Sequence, residues 1–220
     1  MLNNPVWAAL AGPQACFAEA AGEAARYLPE IAPFCAVRDP EDPAGWRDLA
    51  TLTDSALMTG PTITPLAGWR IESEMRGQQM VGQSMTGVED PEAVLLTEKD
   101  VPEMLELVAR AQPGPFLKRT IDMGRYLGIR DPDGRLIAMA GERLRMPGWT
   151  EVSAVCTDPE FRGQGLGARL TMAVAAGILT RGELPFLHVV SDNDSAIRLY
   201  ERLGFEHSGD VVFASLRVAS

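Results

Sequence analysis

The spacing of apolar residues after residue 90 predicts strands that alternate with helices. Helices are predicted over 100–110, from Leu166 onward, and over 193–203, where Gly204 supplies a stop. Strands are predicted at 94–97, within a hairpin at 125–145, and at 152–157, 186–190 and 211–218. The run at 152–157 is nearly continuous in small and apolar residues, which indicates a central strand covered on both faces. This order predicts an α/β fold built on a mixed sheet.

The first 90 residues carry weaker patterns and predict a smaller α/β unit. Helices are predicted at Gln14–Tyr27 and Trp46–Leu52, and a short apolar run lies at Phe34–Val37. Strands are predicted at Ala56–Thr59 and in the alternating segment from Trp69 to Arg76. A polar segment at 83–92 marks the expected boundary, so the chain divides into a 1–90 unit and a 91–220 unit.

Composition and charge narrow the class of protein. The chain has 220 residues, 46% apolar and 23% charged, with a net charge of −10. That composition is typical of a globular protein with a sizeable core, and the negative charge makes nucleic acid a poor partner. No apolar run reaches the ~18 residues of a membrane span. The start of the chain lacks the basic residues that precede the apolar part of a secretory signal, so neither a membrane nor export is expected.

Cysteine and histidine are scarce. The three cysteines, Cys16, Cys35 and Cys156, are far apart and odd in number, which argues against a disulfide framework. Two histidines, His188 and His207, offer little for a metal site. We therefore expect a cytoplasmic protein without a metal, as a monomer or a homodimer.

A glycine-rich loop separates the central strand from the long helix. It reads Arg162-Gly163-Gln164-Gly165-Leu166-Gly167. Glycines at the start of a helix let an anion approach free backbone N–H groups, so a phosphate or pyrophosphate is the expected guest. A Walker loop is excluded because Gly-Lys-Ser/Thr is missing, and a dinucleotide fingerprint fits poorly because 158–161 intervene after the strand. Two interpretations of the loop remain. It binds the pyrophosphate of coenzyme A, or it is a turn that only packs the helix on the strand.

Two motifs resemble the GNAT superfamily of acyl-CoA N-acyltransferases. The loop matches the family pattern of Arg or Gln, two residues, Gly, one residue, then Gly or Ala, and the lead-in 155–161 is similar to "V-x-x-x-P-x-[YF]". The segment 193–205 resembles "N-x-x-A-x-x-L-Y-x-x-x-G-F". The resemblance covers roughly 93–218. The whole chain is similar to the FR47-like or glycine acyltransferase-like branch, in which a degenerate GNAT-type half comes first.

The resemblance implies where acetyl-CoA binds. The strands at 152–157 and 186–190 would part, and the pantetheine arm would lie in the gap and pair with the backbone of Val155 and Thr157. The pyrophosphate would sit on the N–H groups of 162–168. The expected cofactor contacts are Val155, Cys156, Thr157, Arg162, Gly163, Gln164, Gly165, Leu166, Gly167, Ala168, Asn193, Ala196 and Tyr200.

The resemblance also implies the catalytic candidates. Tyr200 is the expected general acid, since a phenol suits proton donation to a thiolate; the alternative is a core tyrosine. Glu151 is the expected general base, and the alternative is an exposed strand-end carboxylate. Glu142 ranks second as the base, and a chain of waters is the remaining choice. Cys156, on a buried strand, is expected to be a small apolar residue and not a nucleophile. His188, on the opposite strand, is expected to pack within its strand, and the alternative is that it faces the gap.

These expectations add up to an N-acetyltransferase. It would move an acetyl group from acetyl-CoA to a primary amine by direct attack in a ternary complex. The 1–90 unit would wall off the acceptor, which we expect to be a small molecule or an amino acid and not a protein. The acidic first part, with 12 acidic and 5 basic residues, hints at a cationic acceptor. The alternative is a CoA-binding sensor or scaffold without turnover.

Overall fold

The structure is a computed structural model and describes residues 2–219. Within these residues the helices are α1 (Pro5–Leu10), α2 (Pro43–Leu52), α3 (Val101–Ala111), α4 (Leu166–Thr180) and α5 (Asp194–Arg202). The strands are β1 (Ala18–Ala21), β2 (Ala24–Tyr27), β3 (Cys35–Val37), β4 (Ser55–Gly60), β5 (Trp69–Val81), β6 (Val94–Leu95), β7 (Tyr126–Arg130), β8 (Leu136–Met146), β9 (Trp149–Thr157), β10 (Leu184–Val190) and β11 (Glu206–Val218).

An eight-stranded mixed sheet forms the body of the molecule, in the order β4-β11-β5-β10-β9-β8-β7-β6. The pair β9 and β10 is parallel, and the other neighbours run antiparallel. The predicted α/β fold with a mixed sheet is therefore confirmed, as is the order of elements after residue 90. The sheet is covered on one face by the apolar stripe of α4 and on the other by α3, so β9 is buried from both sides.

The predicted helix at Gln14–Tyr27 is wrong. A short 3-10 turn at Ala15–Phe17 leads into the hairpin β1–β2, which continues into β3 as a small three-stranded sheet. The chain reverses at Gly22, whose φ of +49° interrupts any helix there. Alanine favours helices in isolation, but here Ala24 and Ala25 are buried against the rest of the fold. The burial of these alanines in the folded protein outweighs their intrinsic preference for a helix.

Strands from both predicted units share the large sheet. The long strand β5 pairs with β10 and with β11, and β4 pairs with β11 at the edge. Strands from before and after residue 90 thus belong to one continuous sheet. As a division into folding units, the boundary near residue 90 stays a prediction.

Among the helices of residues 2–219, none combines the length and the apolar character needed to cross a bilayer.

Candidate functional site

The parallel pair at the centre of the sheet opens along its length. Strands β9 and β10 are paired only at Trp149 with Leu184, Thr150 with Pro185, and Glu151 with Phe186. Beyond this point β9 stays with β8 as far as Thr157, while β10 stays with β5 as far as Val190. The two strands therefore part, and backbone groups of β9 face an opening instead of a neighbouring strand.

A β-bulge in β9 lies where the strands part. The register with β8 shifts between the pairs Met139–Cys156 and Gly141–Ser153, so two residues of β9 oppose one residue of β8. One of the two, Ala154, has φ of +53°, which is uncommon for a residue with a side chain. Such bulges bend a strand and redirect its side chains, and they occur often beside functional sites.

A cavity of about 710 Å³ fills the opening and continues to the glycine loop. Most of the residues predicted to bind the cofactor line it: Val155, Cys156, Thr157, Arg162, Gly163, Gly165, Leu166, Gly167, Ala168, Asn193, Ala196 and Tyr200. Gln164 is the exception, since it is exposed and does not line the cavity. Residues separated by up to 45 positions in the sequence thus surround one groove.

The glycine loop forms a cradle of free backbone N–H groups. Gly163 and Gly165 have φ of +81° and +76°, and the space a Cβ would take at each is open. The N–H groups of 163–168 donate to no other group within residues 2–219, as expected before and within the first turn of a helix. Gly165 is the N-cap of the 15-residue helix α4, whose positive dipole end adds to the attraction for an anion.

Helix α5 flanks the opposite wall. Asn193 caps it, because its side-chain oxygen accepts hydrogen bonds from the backbone N–H of Ala196 at 3.1 Å and from the hydroxyl of Ser195 at 2.9 Å. The cap holds α5 against the opening. About two turns after Asn193, the helix presents Tyr200 to the cavity.

Tyr200 is buried, yet its hydroxyl has no partner. Only 9% of the residue is exposed, and the ring packs edge-on against Phe205. Its hydroxyl makes no hydrogen bond within residues 2–219, although it is not one of the fully enclosed polar atoms. Burial, and to a smaller degree the nearby Cys156, raises the pKa of Tyr200 to about 12. The phenol therefore holds its proton at neutral pH, in a residue that lines the cavity.

Cys156 lines the same cavity as a protonated thiol. Burial is the main reason why its pKa rises to about 12, and a hydrogen bond with the backbone of Met139 and the charges of Arg110 and Arg162 offset only part of this effect. A thiol that stays protonated is a poor nucleophile. This agrees with the expectation that Cys156 is a small apolar residue of the strand.

Glu151 is neither exposed nor directed into the cavity. Its position therefore differs both from that of the expected general base and from that of an exposed carboxylate at the end of a strand. Its side chain is fully buried, and Arg143 binds it with two hydrogen bonds, Nε to Oε2 at 2.8 Å and Nη2 to Oε1 at 2.7 Å. Burial raises the pKa of Glu151, but the charge and hydrogen bonds of Arg143, helped by His188, lower it to about 2. A carboxylate held in this way is a weak base.

His188 belongs to the same network and has both ring nitrogens engaged. Its Nδ1 lies 2.8 Å from Glu151 Oε1, and its Nε2 lies 3.3 Å from Gln79 Nε2. The amide of Gln79 is oriented by the backbone of Leu2, whose N–H it accepts at 2.7 Å and whose carbonyl it donates to at 3.0 Å. Gln79 Nε2 is thus a donor, which assigns the His188 proton to Nδ1, facing Glu151.

The second base candidate, Glu142, is also held away from the opening. Only 5% of it is exposed, and its Oε1 accepts a hydrogen bond from Arg181 at 3.0 Å. It lines neither this cavity nor the one beside it.

A smaller cavity of about 150 Å³ adjoins the first on the side of the N-terminal segment. The two cavities have seven wall residues in common: Met75, Pro113, Gly114, Val155, His188, Val190 and Tyr200. Phe34 and Leu57 close the small cavity from the N-terminal part of the chain, and Arg143 forms another wall. A molecule here and a molecule in the groove would meet at Tyr200. Within residues 2–219 no group of three or more His, Cys, Asp or Glu side chains could hold a metal ion.

The sequence and the fold were compared with known protein families and structures. Residues 126–214 match the family described as FR47-like protein. The fold matches, with a TM-score of 0.91, a crystal structure assigned to the GNAT family of acetyltransferases from Novosphingobium aromaticivorans; the two are 41% identical, and the match covers 100% of this chain and 99% of that one. The chain belongs to the GNAT family of acetyltransferases. The resemblance found in the two sequence motifs is thereby confirmed.

Curated relatives of this GNAT chain carry different names. A mycothiol acetyltransferase of Rhodococcus opacus is 32% identical over 162 residues, which are 59% of this chain and 53% of that protein. The N-alpha-acetyltransferase RimI of Mycobacterium tuberculosis is 38% identical over 87 residues, which are 38% of this chain and 53% of that protein. The chain spans about half the length of these relatives, or less for others. The names agree on acetyl transfer and differ in the acceptor.

Sequence reasoning missed Arg143, Gln79 and Phe34. Each is unremarkable in its local pattern and reaches the site only through the pairing of distant strands. The local sequence gave no clear signal for Arg143, because it lies in a mixed stretch between Glu142 and Arg145; only its burial, seen in the structure, implies a partner.

Proposed function

We propose that this GNAT protein transfers an acetyl group from acetyl-CoA to the primary amine of a small acceptor, by direct attack in a ternary complex. The observation that carries the proposal is the parted pair β9–β10. One end of its opening is the cradle of free N–H groups, and the other is the unpartnered hydroxyl of Tyr200. Two joined cavities allow a cofactor and an acceptor to be present together.

The residues along the groove fit acetyl-CoA. Bound there, acetyl-CoA would supply a thioester whose carbonyl carbon forms the new amide bond as the carbon–sulfur bond breaks. The N–H groups of 163–168 and the exposed Arg162 would hold the pyrophosphate. The free edge of β9 from Val155 to Thr157 would pair with the pantetheine arm as a further strand does. Asn193 and Ala196 border the groove on the opposite side.

Tyr200 would donate its proton to the leaving thiolate. Its hydroxyl is free to do so, and burial keeps it protonated at neutral pH. The amine must lose a proton as the amide forms. Neither Glu151 nor Glu142 lines either cavity, and each carboxylate is paired with an arginine, so we propose that water in the small cavity takes this proton.

The N-terminal segment has a part in this proposal. It supplies Phe34 and Leu57 to the acceptor cavity, while β4 and β5 complete the sheet beside β11 and β10. We propose that residues 1–90 are needed for folding of the catalytic half. A 91–220 fragment is expected to be insoluble or inactive, because it lacks the strand that pairs with β10; a soluble, active fragment would overturn this point.

The alternative is a protein that binds CoA without turnover. The experiment measures release of free thiol from acetyl-CoA by the full chain with a panel of primary amines, next to thermal stabilisation by CoA. We expect both stabilisation and amine-dependent release. Stabilisation by CoA with no release on any amine would favour the binding module, and no stabilisation at all would refute the assignment of the groove.

A further inference from the structure

The small cavity contains a buried guanidinium that is only partly satisfied. Arg143 is 9% exposed and lies in a bulge of β8, where Arg143 and Leu144 together oppose Glu151. Its Nε and Nη2 are taken by Glu151. Its Nη1 donates to no group within residues 2–219, and it is not among the fully enclosed polar atoms without a partner, which are Thr59 Oγ1 and Tyr126 Oη. Nη1 therefore keeps open surface, and Arg143 lines the small cavity.

The guanidinium is held rigidly in this position. Its central carbon lies 4.9 Å from the ring centre of Phe34, which stacks beneath it. Glu151, which binds it from behind, is itself fixed by His188, and His188 by Gln79. A donor pre-oriented in this way loses little conformational entropy when it binds a ligand.

Within the described part of the chain, the other walls of the small cavity contain no acidic side chain that could pair with a positively charged group. No Asp or Glu from residues 2–219 lines either cavity, and the remaining walls of the small one are mostly apolar, with Val190, Phe213 and Met75 among them. A cationic acceptor would therefore find no counter-ion, in contrast to the hint taken from the acidic N-terminal part. A carboxylate would find a charge-assisted donor in Arg143 Nη1.

We propose that the acceptor is a small amino acid whose carboxylate binds Arg143, which leaves its amine at the junction of the two cavities beside Tyr200. The inference rests on the proposed function and names its substrate class. The cavity volume of about 150 Å³ supports a compact acceptor, since sites for drug-sized ligands are usually at least twice as large. A protein N-terminus has no free α-carboxylate to offer to this arginine.

The test compares three acceptors that share one skeleton: alanine, alaninamide and ethylamine. We expect kcat/KM, expressed per free amine, to be about 10- to 100-fold higher for alanine than for either compound without a carboxylate, the range expected when one charge-assisted hydrogen bond to Arg143 Nη1 is lost. Equal or better use of alaninamide and ethylamine by the wild-type protein would overturn the inference while leaving acetyl transfer intact.

Two variants connect the preference to Arg143. Arg143→Met alone leaves the Glu151 carboxylate buried without its arginine counter-ion and is expected to destabilise the fold, so the double variant Arg143→Met/Glu151→Gln removes both charges together. We expect the ratio of kcat/KM between alanine and alaninamide to fall to about one in the double variant, with the Kd for CoA unchanged. A double variant that binds CoA and keeps the wild-type ratio would refute the role of Arg143.

A binding measurement separates failure of this inference from failure of the proposed function. Thermal stabilisation of the full chain with CoA is recorded with N-acetylalanine and with N-acetylalaninamide. Preference for the acid without any turnover would support the carboxylate site and refute the enzyme. Turnover without preference for the acid, in either measurement, would refute the carboxylate site alone.

Discussion

The ion pair between Glu151 and Arg143 is expected to make a large and pH-dependent contribution to stability. Removing the carboxylate charge by Glu151→Gln leaves a guanidinium buried with no counter-ion. Glu151 has no exposed surface, and its pKa falls from 4.5 to about 2 in the folded protein. A pKa shift of that size corresponds to a contribution of about 3 kcal/mol to the free energy of unfolding at neutral pH. Breaking buried pairs by removing one partner has effects of about 3–5 kcal/mol.

The sign of the pH dependence follows from the direction of the pKa shift. Because the pKa of Glu151 is lower in the folded state, the ionised carboxylate favours folding above the unfolded pKa. The contribution is lost as the pH falls from 4.5 towards about 2. The difference in unfolding free energy between wild type and Glu151→Gln should therefore be about 3 kcal/mol at pH 7 and shrink steadily below about pH 4.5.

Urea denaturation of the full chain at several pH values between 7 and 3.5 measures this difference, provided that the slope with urea is unchanged. Glu106→Gln is the matched control, since Glu106 is exposed on α3 and makes no ion pair within residues 2–219. Its effect should stay within about 0.5 kcal/mol. If Glu151→Gln changed stability no more than this control at pH 7, the buried pair would not have the energetic role that its geometry indicates.

Three further predictions concern the groove. Tyr200→Phe should lower kcat by about 100-fold or more with an unchanged Kd for CoA, because it removes only the proton donor; full activity would exclude Tyr200 as the acid. Gly165→Val should abolish CoA binding in calorimetry. The control Gly182→Val, at a similar φ of +74° beyond the end of α4, should leave CoA binding intact. Equal loss of CoA binding in both variants would indicate that backbone strain alone is responsible. Cys156→Ala should keep kcat within about 10-fold in the thiol-release assay, since the thiol stays protonated; a larger loss with CoA binding intact would revive it as a nucleophile.

The shape of the glycine loop was predictable because its requirements are local. A loop that turns through two left-handed residues into a helix needs glycines such as Gly163 and Gly165, and a helix start needs a cap such as Asn193. Such demands are met by consecutive residues, so the local sequence predicted the loop and the helix that follows it, whereas Tyr200 was singled out by the resemblance to the GNAT family. The local sequence also predicted the order of strands and helices after residue 90, because strand and helix periods are local as well.

The tertiary structure alone decided how the acceptor side is built. Glu151 meets Arg143 across 8 positions, His188 across 37, and His188 meets Gln79 across 109. No local pattern encodes these contacts, because they depend on which strands become neighbours and on bulges that shift the register. The same applies to the N-terminal hairpin, where burial of alanines outweighed their preference for helix. A base candidate chosen by position in the strand therefore became the buried partner of an arginine, since charge pairing in a low-dielectric interior is fixed only once the sheet is assembled.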